Sequence, residues 1–250
     1  MAFEWFVALR YLREGRLQTA LVLGGATVGV AVLVFLTALI SGLQGALIRQ
    51  TLSSQAHIMV KAPERAPRVL PPPPGETAVD HVERVPDRLR SIEQWQQVLG
   101  EVERTPGVVA ATPTVAGSGF ASRGEASKSV AIRGVEPATF GRVIEIETKM
   151  RRGRFSVAGT EAVIGSVLAD DLGVGVGDKV RLTTAEGRGD VFTVSGIFDL
   201  GNKDVNQRWV LVALRSAQTL LDLAGGATTI EIKVAEVFAA ERMARELESR

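Results

Sequence analysis

Chemistry needs particular side chains, and this sequence is sparing with them. It contains no cysteine and only two histidines, His57 and His81. That excludes thiolate catalysis, a disulfide scaffold and Cys-ligated zinc, and leaves too few imidazoles for a multi-histidine metal centre. Ser195 has no histidine near it in sequence to act as a base, so no nucleophile–base–orienter set is assembled. Asp170 and Asp171 are adjacent on a predicted helix and therefore do not share a face. Glu145 and Glu147 would share one face of a predicted strand, alternating with apolar neighbours as a half-exposed strand does. All four read as solvated surface. The run Gly173-Val174-Gly175-Val176-Gly177-Asp178-Lys179 invites comparison with a phosphate loop. Such loops lie between a strand and a following helix, whereas here a helical stretch precedes the glycines and a strand follows. A glycine-rich turn is the better reading. Arg151, Arg152 and Arg154 form a short basic cluster that reads as a solvated turn. No catalytic, cofactor-binding or metal-ligating residue is assigned.

The elements that would position these groups divide into two kinds. With 29 Lys+Arg against 28 Asp+Glu the chain carries a formal charge of +1, which argues against a nucleic-acid partner because phosphate neutralisation needs a basic face. Apolar residues make up 46% of the chain, too many for disorder over most of it. Much of that excess sits between Leu17 and Ile48, where no charged residue occurs. The run exceeds the roughly 20 residues needed to cross a hydrocarbon core. It also outlasts the roughly 7–15-residue apolar core of a signal peptide. Residues 17–48 are therefore expected to be a retained transmembrane helix. Arg10, Arg13 and Arg16 crowd its N-terminal flank, which places residues 1–16 in the cytoplasm and residues 49–250 outside it. Residues 2–12 are apolar on most faces and fit either an interfacial segment or the first turns of the same helix. Inside the span, Gly25 and Gly29 form a GxxxG pair that would let another helix approach closely.

Beyond the span, residues 55–61 read as a strand. Seven of the ten prolines fall between Pro63 and Pro86, so 63–87 reads as an exposed, stiff excursion. Ser91 and Gln94 match a capping box ahead of an amphipathic helix carrying Ile92, Trp95, Val98, Leu99 and Val102. Strands are expected at 108–116, 118–123, 128–135, 143–147, 161–164, 179–185, 190–199, 207–213 and 228–234. Helices are expected at 166–172, 215–223 and 235–250. This irregular mixture specifies an α+β domain, not a regular βαβ array. The last helix presents Val237, Ala240, Met243, Ala244 and Leu247 at helical spacing, and no return strand or second span follows it. A fragment of a longer protein is the expectation.

Several stretches then stand in a telling order: Arg152-Gly153-Arg154-Phe155; Val163-Ile164-Gly165 with Leu168-Ala169 and Leu172-Gly173; Gly177-Asp178-Lys179-Val180-Arg181-Leu182; and Val194-Ser195-Gly196-Ile197. Together with Ala8-Leu9-Arg10-Tyr11-Leu12 this succession resembles the periplasmic core domain of MacB/LolE/FtsX-like ABC transporter permeases. Thr112-Pro113-Thr114-Val115 and Ile132-Arg133-Gly134-Val135-Glu136-Pro137 lean toward the lipoprotein-releasing LolC/LolE branch. The resemblance makes Gly153, Phe155, Gly165, Leu172, Gly173, Gly177, Asp178 and Gly196 structural positions of the family motif. It implies a four-span, non-enzymatic permease subunit in the inner membrane that pairs with a second permease subunit. A cytoplasmic ABC ATPase partner would drive movement of the outer domain. The alternative is a single-span anchored binding or adaptor module that is complete as it stands; an anchored hydrolase is disfavoured by the missing acid–base set.

Overall fold

A computed structural model describes residues 5, 7, 16–53, 56–63 and 89–248. The chain forms two compact units, Met1–Thr51 and Leu52–Arg250. In the first, helix α1 (Arg16–Ser53) runs for 38 residues. Its stretch Ala20–Gln44, 25 residues, is long and apolar enough to cross a membrane and, among the described residues, is exposed along its length. At 1.5 Å per residue that stretch measures about 37 Å against a hydrocarbon core of about 30 Å. Its two interior threonines satisfy themselves: Thr27 Oγ1 donates to the Leu23 carbonyl (2.7 Å) and Thr37 Oγ1 to that of Leu33 (2.8 Å). The helical backbone pairs its own polar groups in lipid, and this arrangement pairs the two threonine hydroxyl protons as well. The expected segment 2–12, apart from positions 5 and 7, and the proline-rich segment beyond Pro63 up to residue 88 lie outside the described residues.

The second unit is built around one long strand. In order come β1 (Ile58–Lys61), α2 (Trp95–Glu103), β2 (Val108–Arg123), β3 (Ala126–Val135), α3 (Pro137–Val143), a 3₁₀ turn (Ile146–Lys149), β4 (Met150–Gly153), β5 (Glu161–Gly165), α4 (Ser166–Leu172), β6 (Lys179–Thr184), β7 (Gly189–Phe198), α5 (Lys203–Arg208), β8 (Trp209–Ala213), α6 (Leu214–Leu220), β9 (Thr229–Val234), a second 3₁₀ turn (Val237–Ala239) and α7 (Ala240–Glu248). The first half of β2 pairs antiparallel with β9, which pairs with β1. Its second half pairs with both β3 and β6. From there the pairings run β3–β8, β8–β5, β5–β7 and β7–β6, and so return to β2. Six strands thus close on themselves, with parallel pairs at β3–β8 and β5–β7. β4 adds to β7 as an edge strand.

Closure explains the apolar alternation. Ala121, Val130, Ile132, Ala162, Ile164, Val180, Leu182, Phe192, Val194, Val210 and Val212 share one buried cluster with Leu168 and Leu172 of α4 and Ala217 and Leu220 of α6. A second cluster packs α3 and the first 3₁₀ turn, through Phe140, Val143, Ile144 and Ile146, on Val135, Val163 and Leu211. A third, separate cluster holds β1, β9 and the start of β2 against α2 and α7, with Ile58, Val102, Ile230 and Ile232 at its centre. The last helix therefore finds the sheet its spacing called for: Ala240, Met243, Ala244 and Leu247 all pack there.

Four expectations are corrected. The stretches 108–116 and 118–123 form one continuous strand of 16 residues; Gly117 does not break it because its backbone pairs with Ile132. Residues 143–147 are not a strand. Pro137 starts a helix at its first turn, where proline's missing N–H is not needed. Ile144 and Ile146 are buried while Glu145 and Glu147 are exposed, but the alternation comes from the end of a helix running into a 3₁₀ turn, not from a strand. The Ser91 capping box is not made. Gln94, at φ 49°, precedes the helix without a side-chain cap, and Ser91 Oγ instead accepts from the Ala227 N–H at 3.1 Å. Finally, the strand expected at 207–213 begins at Trp209, since Asn202 caps a short helix by accepting from the Asp204 N–H (2.9 Å) and the Val205 N–H (3.3 Å).

Candidate functional site

The family-motif residues converge where β4, β5, β7 and the β5–α4–β6 connection meet. Gly153 has φ +71°, and any Cβ there would strike the Ser195 carbonyl. The neighbouring Arg154 N–H donates to that same carbonyl at 3.1 Å. A Cβ on Gly196 would strike the Arg154 carbonyl and Met150 Cε. A Cβ on Gly165 would strike the backbone of Asn206. These three glycines let backbones cross at distances no side chain tolerates. Phe155 packs against the second cluster, its ring 6.2 Å from that of Phe140. Leu172 is buried in the six-stranded core.

The glycine-rich run is a turn, as its order between helix and strand requires. Gly173 ends α4 in the left-handed conformation at φ +64°. Gly177 has φ +94° and its N–H donates to the Val194 carbonyl at 2.8 Å. Asp178 Oδ2 accepts from the Gly175 N–H at 2.8 Å and meets Arg123 Nη2 at 3.2 Å, while Arg123 Nη1 donates to the Gly173 carbonyl. Asp178 therefore fastens the turn to the end of β2.

The other candidate groups stay apart. Ser195 Oγ is held between the carbonyls of Ser156 and Ala162, the latter at 3.1 Å, so its proton is used structurally. Asp171 pairs with Lys128 at 3.1 Å, and hydrogen bonding from Lys128 holds its carboxyl below the usual range. Asp170 is exposed beside it. Glu145 reaches Lys233 at 3.0 Å, and Glu147 lies in the 3₁₀ turn instead of on a shared strand face. Arg151 pairs with Asp199 at 2.7 Å and Arg154 with Glu161 at 3.7 Å, which leaves the basic cluster partly neutralised. His57 Nδ1 accepts from the Val234 N–H at 3.2 Å. His81 lies outside the described residues. Among the described residues no group of acids and histidines is placed to hold a metal ion. In α1, the positions of Gly25 and Gly29 are open, with nothing within 4 Å of an added Cβ.

Sequence reasoning passed over one feature. Arg133 and Glu231 form an ion pair whose side chains are only 11% and 3% exposed. The Arg133 guanidinium lies 3.9 Å over the Trp209 ring. Burial pushes its pKa below the usual arginine value, against the pull of Glu231. The only signal was a charge flanked by apolar residues in each strand, Arg133 after Ile132 and Glu231 between Ile230 and Ile232, and period-two alternation normally assigns such a charge to the solvent face.

This arrangement has an interlocked backbone, a helix fit for a bilayer, and no assembled catalytic group among the described residues. The MacB-like periplasmic core domain profile matches residues 19–250. The chain belongs to that family. The MacB-like chain is 24% identical over 94% of its length to the lipoprotein-releasing system transmembrane protein LolC of Neisseria meningitidis, of which it covers 55%. It is 27% identical over 96% of its length to the LolC of Xylella fastidiosa strain 9a5c, of which it covers 56%. It thus spans about half the length of the curated relatives it matches. Solved structures similar to 62% of the chain include the extracellular domain of the noncanonic ABC-type transporter YknZ from Gram-positive bacteria (TM-score 0.45, 12% identity, 83% of that chain covered). The periplasmic region of MacB from Actinobacillus actinomycetemcomitans also matches 62% (TM-score 0.44, 16% identity, 72% of that chain covered).

Proposed function

We propose that this MacB-like chain is the N-terminal half of an ABC transporter permease subunit in the inner membrane. In this reading residues 1–16 face the cytoplasm, residues 17–48 cross the bilayer, and residues 49–250 form the extracytoplasmic domain. The carrying observation is one continuous family match that joins an apolar helix fit to span a bilayer to the core domain. The physics agrees with a mechanical role. A partner ATPase delivers its energy as movement of helices, and an extracytoplasmic lobe made of closed, cross-braced β structure passes displacement on without dissipating it. Gly25 and Gly29 would form the close-packing face toward a further helix of the same or a second permease subunit. The cargo that the LolC relatives' name carries is lipoprotein, and release of lipoproteins is the transport we propose.

The test is co-purification. The full-length gene product, solubilised in mild detergent, is expected to bring down a cytoplasmic ATPase and to stimulate that subunit's ATP turnover. Recovery of the chain alone, with no ATPase at any detergent concentration that keeps it folded, would remove the reading. The same experiment with Gly25→Leu and Gly29→Leu is expected to lower the yield of assembled complex severalfold, because bulky residues hold helices apart in lipid.

A further inference from the structure

β2 belongs to two bodies at once. Residues 108–114 pair with β9 and pack with the cluster of α2 and α7. Residues 115–123 belong to the closed six-stranded body. The two apolar clusters centred on these bodies are separate. The change of partner falls at Thr114–Val115, and just beyond it β2, already paired with β3, reads Ala116-Gly117-Ser118-Gly119. Glycine in a strand interior marks a close approach. That holds here: a Cβ on Gly117 would come within 2.5 Å of Leu221, and one on Gly119 within 2.6 Å of the Thr183 carbonyl.

A polar strap is laid over this same passage. Arg133 pairs across β3–β2 with Ala116, and Glu231 pairs across β9–β2 with Thr112. Thr112, Thr114 and Ala116 lie on one face by strand alternation, so the ion pair between Arg133 and Glu231 crosses β2 above Thr114. Thr114 Oγ1 and Arg133 Nε are buried beneath it without a hydrogen-bond partner. Trp209 of β8 extends the strap by stacking on the guanidinium. On either side of it, Thr112 Oγ1 meets Thr139 Oγ1 of α3 at 2.7 Å, and Lys233 Nζ donates to Glu145 at 3.0 Å. The groups facing the ion pair are thus Thr112, Thr114 and Thr139, with Lys233 and Glu145 nearby. One strand changes partner between the bodies, and directional polar contacts bridge them beside the second apolar cluster, which Ala110 shares with Val135.

We infer that β2 at Thr114–Val115 is a hinge between the β1–β9 body and the six-stranded body, and that the Trp209–Arg133–Glu231 strap holds it in one orientation. Directional contacts of this kind are lost over a small displacement, whereas an apolar seam slides; such a junction therefore has discrete states. The inference stands on the extracytoplasmic unit alone and does not depend on the transport reading.

The absence of cysteine allows clean spin labelling of the full chain in detergent. One label goes at Ser127→Cys on β3 and the other at Gln97→Cys on α2, both exposed positions, and their separation is read by pulsed electron spin resonance. The parent is expected to give one narrow distance. Glu231→Gln is expected to broaden it roughly twofold or split it into two populations. A control pair within one body, Ser127→Cys with Arg181→Cys, should not change. Trp209→Leu, which keeps both charges, should broaden the inter-body distance less and in the same direction; it serves if Glu231→Gln does not fold. An unchanged inter-body distance in the folded variants, or equal broadening of the control pair, overturns the hinge and strap. Failure of ATPase co-purification would leave this result untouched.

Discussion

Single residues in this protein matter mainly through the space they leave. At Gly165 an added Cβ would enter the Asn206 backbone, and backbone is not a flexible neighbour that turns aside. Gly165→Ala is therefore expected to destabilise the extracytoplasmic unit by about 3 kcal/mol. Gly124→Ala, at φ +57° with open space around it, should lose only about 1 kcal/mol from backbone strain. Thermal unfolding of the two variants measures the difference. Asp199 makes a second prediction. Its carboxyl is held below the usual range first by the Gly201 N–H, then by Asn206 and Arg151. A depressed folded pKa means the unfolded chain binds more protons in the acid range, so stability rises with pH there. This contribution is present above the ordinary aspartate pKa of about 3.9 and is lost as pH falls through the lower folded value. Asp199→Asn should flatten the acid limb of the stability profile and leave its neutral slope unchanged.

At the scale of elements, α4 and α6 carry more of the fold than their seven residues each imply. Leu168 is fully buried among strands of the closed body, and Leu168→Ala is expected to lose about 3 kcal/mol, transfer plus cavity. Val176, exposed in the glycine-rich turn, should tolerate alanine within about 0.5 kcal/mol. Denaturant titration of both, at equal slope, checks the pair. The elements also show where local pattern was overruled. Ser91 and Gln94 have the right types for a capping box, yet the loop before β9 offered Ser91 a backbone partner and Ile92 a second one, the Ala227 carbonyl at 2.8 Å. Tertiary hydrogen bonds to buried backbone outweigh a cap worth about 1 kcal/mol.

For the whole molecule the question is which side of a membrane each unit occupies. The proposed orientation puts the N-terminus inside, on the strength of the basic flank ahead of Leu17. Protease added to sealed, right-side-out spheroplasts should degrade the unit from Leu52 onward and spare an N-terminal epitope. Protection of the larger unit would reverse the proposed orientation and with it the transport reading. The closed path of six strands removes most free sheet edges. Among the described residues the edges left are β1, which carries Lys61, and β4, which carries Arg151 and Arg152, charges that discourage pairing with another chain.

Composition and periodicity alone determined the apolar helix, the α+β class, the extent of most strands and the turn role of the glycine-rich run, because each follows from neighbours in sequence. Tertiary structure decided the rest. That β2 is shared by two bodies, that six strands close, and that Arg133 meets Glu231 across 98 residues depends on which strands lie side by side. Alternation reports only that a side chain faces away from one core. It does not report whether water or another layer of the protein waits on the other side, and for Arg133 and Glu231 it was the protein.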